Sequence, residues 1–324
     1  MRWVTHHGLR IVGLVLLIMI LPRLDLAGMA RRMSSLQPGN GLLAALLFVG
    51  LIVVRSWQWH QIIRLFGGRS TMPVAFASLW IGLFWGMLTP GHVGEFARAL
   101  HMSRLGVRGG AAVLAVVSER GVHLWVLLVL AAVALLSRPG EVSPWAMIVC
   151  GLAGCVVAGC ALRGMAYSPA HRFMERPLRG LRQTSPIRRL GDAVLEQAGR
   201  LSRISMRAWI EVAVLSLGSW VLTGCLSWSL ARGVGIGLTW ADGVGYMAVG
   251  SVVSIVPVSV LGLGTRDAAM ILLFERGGRS WEEAVVFSSI LLLITVVNLL
   301  LGLVVWYVSE RSLLRESSLG SRGS

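Results

Sequence analysis

Long apolar runs alternate along this chain with short clusters of glycine, proline and arginine, and their spacing sets the expected architecture. About 20 apolar residues cross the hydrocarbon core of a bilayer. Eight runs approach or exceed that length, at roughly 8–24, 40–56, 72–89, 109–136, 143–162, 209–231, 239–256 and 283–308. The pattern predicts an all-α fold: a polytopic membrane helical bundle of about eight transmembrane helices. The first run resembles a signal-peptide core in length, but Pro22-Arg23-Leu24-Asp25 offers no small-residue cleavage site, so it is expected to be a retained span. The stretch 26–37, with Arg31 and Arg32, reads as a short interfacial segment. Arg55-Ser56-Trp57-Gln58-Trp59-His60 joins tryptophans to charge and is expected at the headgroup boundary.

One long polar stretch interrupts the runs. Residues 163–207 carry ten arginines against Glu175, Asp192 and Glu196, and Pro169, Pro177 and Pro186 divide them. The expected organisation is a first membrane half at 1–162, a basic amphipathic linker at 163–207, a second half at 208–310 and a short polar tail at 311–324. Topology meets a conflict here. The linker arginines favour the cytoplasmic side, and five spans before them then put the N-terminus outside, whereas Arg2 and Arg10 argue the other way. Either one broken segment crosses fully or one run is miscounted.

Two runs end in something other than an ordinary loop. Val74–Leu88 leads into Thr89-Pro90-Gly91-His92-Val93-Gly94-Glu95-Phe96-Ala97-Arg98, and the run before Val256 leads into Pro257, Gly262, Gly264, Thr265, Arg266 and Asp267. In each, proline ends a helix, glycines free the backbone and charge opens a short new helix. Broken backbone at membrane depth survives only where protein or a water-filled cavity covers it. A pair of such segments, one per half, points to a substrate site, and the two are expected to be interrupted or re-entrant parts of one site. A helix starting inside the membrane aims free N–H groups and a positive dipole end at the cavity, which suits an anion such as phosphate. Arg98 is the first choice for the ligand group, with Arg266 as its counterpart. Glu95 and Asp267 hold the arginines, cap the short helices or carry a proton. Arg266 and Asp267 are neighbours and are expected to diverge. Pro90, Gly91, Gly94, Pro257, Gly262 and Gly264 are the expected hinges. The bland reading, a pair of charged turns at the membrane surface, stays open.

The run at 109–136 adds Glu119, Arg120 and His123 well inside an apolar helix. Intramembrane charges are rare, face the bundle interior and usually mark function; a purely structural Glu–Arg lock is the alternative. Near 151–159, Gly151, Cys155 and Gly159 form a small-residue packing stripe. In the last run Thr295 and Asn298 are the expected inward polar groups.

Composition agrees with the patterning. The chain is 55% hydrophobic and 14% charged, with mean hydropathy +0.73, against roughly a quarter charged in soluble proteins. The formal charge is +15 with no lysine. On a membrane protein this favours anionic lipid over nucleic acid as the partner. Cys150, Cys155, Cys160 and Cys225 lie in apolar runs without metal or redox spacing and read as packing residues. No cofactor or metal is expected.

Thr89-Pro90-Gly91-His92-Val93-Gly94-Glu95 with Arg98, Ser118-Glu119-Arg120, and Pro257 followed by Gly262-Leu263-Gly264-Thr265-Arg266-Asp267 resemble the lysylphosphatidylglycerol synthase transmembrane-region family, the flippase-like membrane proteins. The Arg55–Trp59 stretch is similar, less closely, to that family's Arg/Trp signature. The resemblance spans roughly 8–308 and implies an inner-membrane, multi-pass protein whose two halves enclose a lipid-headgroup cavity. In the best-known members this module moves an aminoacylated phospholipid between leaflets beside a C-terminal aminoacyl-transferase domain. The present sequence runs to Ser324 without one, so lysylphosphatidylglycerol synthesis is not implied. Asp267 stands where the family pattern has Glu.

The resulting expectation is a flippase-type transporter of a phosphate-bearing lipid, of phospholipid or polyprenyl-phosphate type. Glu95, Arg98, Glu119, Arg120, Arg266 and Asp267 would line its cavity. No nucleotide-binding motif suggests ATP-driven pumping. Two alternatives remain. A lipid-phosphate enzyme would have to draw on His92, His101 and His123 with Glu95 and Glu119. A non-catalytic partner would anchor a cell-envelope glycosyltransferase or other envelope-biosynthesis enzyme through the linker.

Overall fold

The structure is a computed structural model and describes residues 36–89, 94–104, 106–137, 144–167, 204–255 and 265–320. The expected span at 8–24, most of the linker, and Pro90, Gly91, Pro257, Gly262 and Gly264 lie outside the described residues. The described residues form nine helices: α1 (Pro38–Leu65), α2 (Met72–Leu88), α3 (Ala97–Arg104), α4 (Gly109–Leu136), α5 (Pro144–Tyr167), α6 (Met206–Gly233), α7 (Trp240–Ile255), α8 (Thr265–Arg276) and α9 (Trp281–Gly320). Among them α1, α4, α6 and the Trp281–Ser309 part of α9 are long and apolar enough to cross a membrane. The protein is an integral membrane helical bundle.

Local chemistry sets several helix ends. Proline opens α1 and α2, where a missing N–H costs nothing. Ser205 caps α6 by accepting the Ala208 N–H at 3.2 Å. Gly67 after α1 and Gly235 after α6 adopt φ of 79° and 90°, a left-handed conformation that L side chains resist. The run at 109–136 matches α4 to the residue. Two other bounds move. α1 continues past the expected span end through Arg55–His60 to Leu65. Helix α9 continues to Gly320, through most of the expected polar tail.

The two halves repeat one plan. Pro38 and Met206, Leu65 and Gly233, Met72 and Trp240, and Ala97 and Thr265 bound corresponding helices, each pair 168 residues apart. The packing is reciprocal. α1 packs on α6; α2 packs on α9 as α7 packs on α4; and α3 joins α2 and α4 as α8 joins α7 and α9. α1 and α6 run antiparallel. The Gln37 N–H donates to the Gly233 carbonyl at 3.1 Å, while at the opposite end Phe66 and Trp209 meet with ring centroids 6.5 Å apart. A two-fold axis that exchanges antiparallel helices crosses them at right angles. The repeat is therefore inverted, an arrangement met in many transporter folds.

Each half contributes a hairpin that enters and returns at one end. Gly82 and Gly86 of α2 face Arg98 and Glu95 on the way to and along α3, and at the hairpin's feet Val107 lies against Gly68. In the second half Gly250 of α7 faces Arg266 of α8, and the Arg279 guanidinium donates to the Gly237 carbonyl at 2.6 Å. The runs at 72–89 and 239–256 are thus not full crossings, which corrects the simple count of spans. α1, α4, α5, α6 and α9 run end to end, and α6 begins at the end where α1 stops. The first hairpin adds no net crossing between α1 and α4, since Gly68 after α1 and Val107 before α4 meet at one end of the bundle.

One hydrophobic core joins α1, α4, α6, α7 and α8. A second cluster lies between α2 and α9, where Ile81, Phe84, Trp85 and Leu88 meet Leu292, Leu299 and Trp306. Gly302 permits that approach, since a Cβ there would come within 2.8 Å of the Phe84 Cβ.

Candidate functional site

The first hairpin is pinned near its tip by Thr89. Its hydroxyl accepts the Gly94 N–H at 2.6 Å and donates to the Trp85 carbonyl at 3.0 Å. Gly94 has no room for a side chain against the Trp85 carbonyl, so its glycine is a packing requirement. Residues 94–96 form one tight helical turn before α3. It delivers Glu95 beneath Gly86 and Arg98 beneath Gly82, where a Cβ would meet the Arg98 Cδ at 2.9 Å.

Arg98 is only 1% exposed. It forms an ion pair with Glu119 of α4, approaches Glu95 at 3.8 Å, and stands 4.2 Å from the centroid of the Trp59 ring. Arg120 forms an ion pair with the same Glu95. Glu119 and Arg120 are adjacent on α4, about 100° apart around the helix, so each reaches a different partner. Four expected site residues therefore converge in a chain of alternating sign. Unpaired, each buried charge would cost several kcal/mol; the alternation is what makes the cluster tolerable. One turn along, His123 Nδ1 lies 2.8 Å from the Ser216 hydroxyl, and its ring lies 4.6 Å from Trp220. The Trp220 indole donates to the His123 carbonyl at 3.2 Å, and these contacts seal α4 to α6. His101 is buried on α3, and His92 lies outside the described residues. Among the described residues no three of His, Cys, Asp and Glu gather as metal ligands would.

The second hairpin places Arg266, 6% exposed, at the position equivalent to Arg98. The correspondence is residue by residue, since Gly82, Arg98 and Met102 recur 168 residues later as Gly250, Arg266 and Met270. Both methionines are buried, and both glycines face the arginine stem. The partners differ. Arg266 lies 3.5 Å from Asp267 and donates weakly to the Ser288 carbonyl at 3.4 Å, while the Ser288 hydroxyl donates to Asp267. Arg266 and Asp267 were expected to diverge as helix neighbours; both side chains instead meet at Ser288, because the long guanidinium stem folds back.

The two clusters do not pair with each other among the described residues. Gly82 and Glu119 each stand ten residues into their helices from one end of the bundle, and Gly250 ten residues in from the other. At 1.5 Å per residue each arginine lies about 15 Å deep in helices about 42 Å long, leaving roughly 12 Å of depth between them. Among the described residues the charges gather at two stations, one per hairpin.

Two further expectations change. Arg55–His60, expected at the headgroup boundary, also reaches inward: Trp59 is buried, supports Arg98, and donates from its indole to the Ser78 hydroxyl at 2.7 Å. Arg55 lies in the electrostatic field of Glu119, Arg98 and Arg120. Its signal in the sequence was its i, i+4 spacing to Trp59, which puts both on one helix face. In the last helix Thr295 and Asn298 bond back to the carbonyls of Leu291 and Ile294 at 2.8 Å each. Ser288, which patterning passed over, supplies the polar contact to the site.

The family model for the lysylphosphatidylglycerol synthase TM region matches residues 8–302, the membrane region alone. No curated protein and no solved structure matches the chain.

Proposed function

The chain belongs to the lysylphosphatidylglycerol synthase transmembrane-region family, and on that premise we propose that it is a flippase-like transporter, moving a phosphate-bearing lipid between the leaflets of the cell (inner) membrane. The observation that carries the reading is the pair of equivalent buried arginines, Arg98 and Arg266, each deep in a hairpin entering from the opposite end. A headgroup crossing the bundle needs a counter-charge at depth from both leaflets, and the inverted repeat supplies one to each. Arginine suits the task because its planar fork matches phosphate oxygens bidentately. Glu95, Glu119 and Asp267 keep the arginines solvated by protein when no headgroup is present, and so lower the cost of the empty state. The reading assigns binding and release to these residues and no bond-making step.

The end bearing Arg64, Arg69, Arg108 and Arg207 faces the cytoplasm in this proposal. The experiment is reconstitution into phosphatidylcholine vesicles containing fluorescent phosphatidylglycerol, with leaflet exchange read by dithionite quenching. Wild-type protein is expected to accelerate exchange. Arg98→Ala and Arg266→Ala are each expected to return it to the protein-free rate at equal inserted amounts. Exchange surviving in both variants refutes the transport reading.

A further inference from the structure

The first station holds more positive than negative charge. Arg55, Arg98 and Arg120 face two carboxylates there, Glu95 and Glu119, which leaves one positive charge uncompensated among the described residues. Arg98 and Arg120 are engaged by the glutamates. Arg55 forms no ion pair among the described residues, and its Nε is buried without a hydrogen-bond partner. The Nε of Arg98, whose guanidinium stands over the Trp59 ring, is also buried without a hydrogen-bond partner. Roughly nine in ten buried polar atoms in folded proteins are hydrogen-bonded, so these two guanidinium donors are open to a polar ligand.

We propose that Arg55 is the residue of the first station that grips the anionic headgroup, while Arg98 is a positioning residue that holds Glu95 and Glu119 in place. The inference rests on the transport reading above and reassigns the ligand contact within it. A phosphate recruiting Arg98 would have to displace two carboxylates. One recruiting Arg55 displaces nothing and neutralises the excess charge. The phosphate can be a lipid headgroup or a free anion, and the two are separated below.

The two roles predict opposite effects on the empty protein. The full chain, purified in detergent, is unfolded thermally with and without dihexanoyl phosphatidylglycerol, and in parallel with inorganic phosphate. Wild-type Tm is expected to rise with the lipid, as for any ligand that binds the folded state alone. Arg55→Gln removes an unpaired intramembrane charge, so its ligand-free Tm is expected to equal or exceed that of wild type. Its lipid-induced rise is lost, and exchange in vesicles falls at least tenfold. Arg55→Lys keeps the charge without the fork and is expected to recover part of the rise. Arg98→Gln strands two glutamates and is expected to lower the ligand-free Tm. An Arg55→Gln protein that is destabilised like Arg98→Gln, or that keeps the full lipid shift, overturns the assignment while leaving transport standing. A wild-type protein unmoved by lipid and by phosphate overturns the anion site and this assignment together. Inorganic phosphate matching the lipid shift, with both lost in Arg55→Gln, supports the Arg55 contact and removes the lipid.

Discussion

Gly82 and Gly250 show at single-residue scale how the arginine stations are built. Each lies under an arginine stem, and a Cβ at Gly82 would stand 2.9 Å from the Arg98 Cδ and 3.1 Å from its Cβ. Gly82→Ala is expected to displace Arg98, cost about 1–3 kcal/mol as overpacking, and lower both Tm and exchange rate. Gly50 and Gly218 have nothing within 4 Å of an added Cβ, so alanine there is expected to gain about 0.5–1 kcal/mol of helix propensity. A Gly82→Ala protein as stable as Gly50→Ala would show that the arginine is not held by that contact. Glu95, Arg98, Glu119 and Arg120 were legible in the sequence because charge inside an apolar run has no solvent to meet and must find a partner. Arg55 and Ser288 were not. Arg55 sits among tryptophans, which also mark a membrane surface, and Ser288 matters only through α8, 21 residues away in sequence.

At the scale of elements, the return of each hairpin is the structural fact with most consequence. Residues flanking α2 and α3 share one membrane side, and those flanking α7 and α8 share the other. Ser70→Cys and Arg108→Cys are expected to react with a membrane-impermeant maleimide from the same side. Gly237→Cys and Ser280→Cys, both at exposed positions, are expected to react only from the opposite one. Reaction of Ser70→Cys and Arg108→Cys from opposite sides would mean that the run at 72–89 crosses, and the inverted plan would fail. The sequence announced the breaks through Pro90, Gly91 and Gly94 and through Pro257, Gly262 and Gly264. It could not announce the return, because hydropathy measures how much apolar length enters the membrane and is blind to the direction in which the chain leaves.

At the scale of the whole molecule, basic residues gather at one end of the bundle. The Arg64–Arg69 turn, Arg108 in the α3–α4 connection and Arg207 at the start of α6 share that end. Green fluorescent protein fused after Ser324 or inserted between Thr184 and Ser185 is expected to fluoresce, and alkaline phosphatase at either place to be inactive. The opposite pattern at both places would turn the molecule over. What remained hidden from the sequence at this scale was the 168-residue register, since corresponding helices share their length but only scattered identities, such as Gly82 with Gly250, Arg98 with Arg266 and Met102 with Met270. Helix α5 then acquires a purpose that its plain apolar surface does not advertise. α1 and α4 traverse the membrane twice, which by parity would leave a second copy upright; α5 makes the tally odd and hands the chain to α6 upside down.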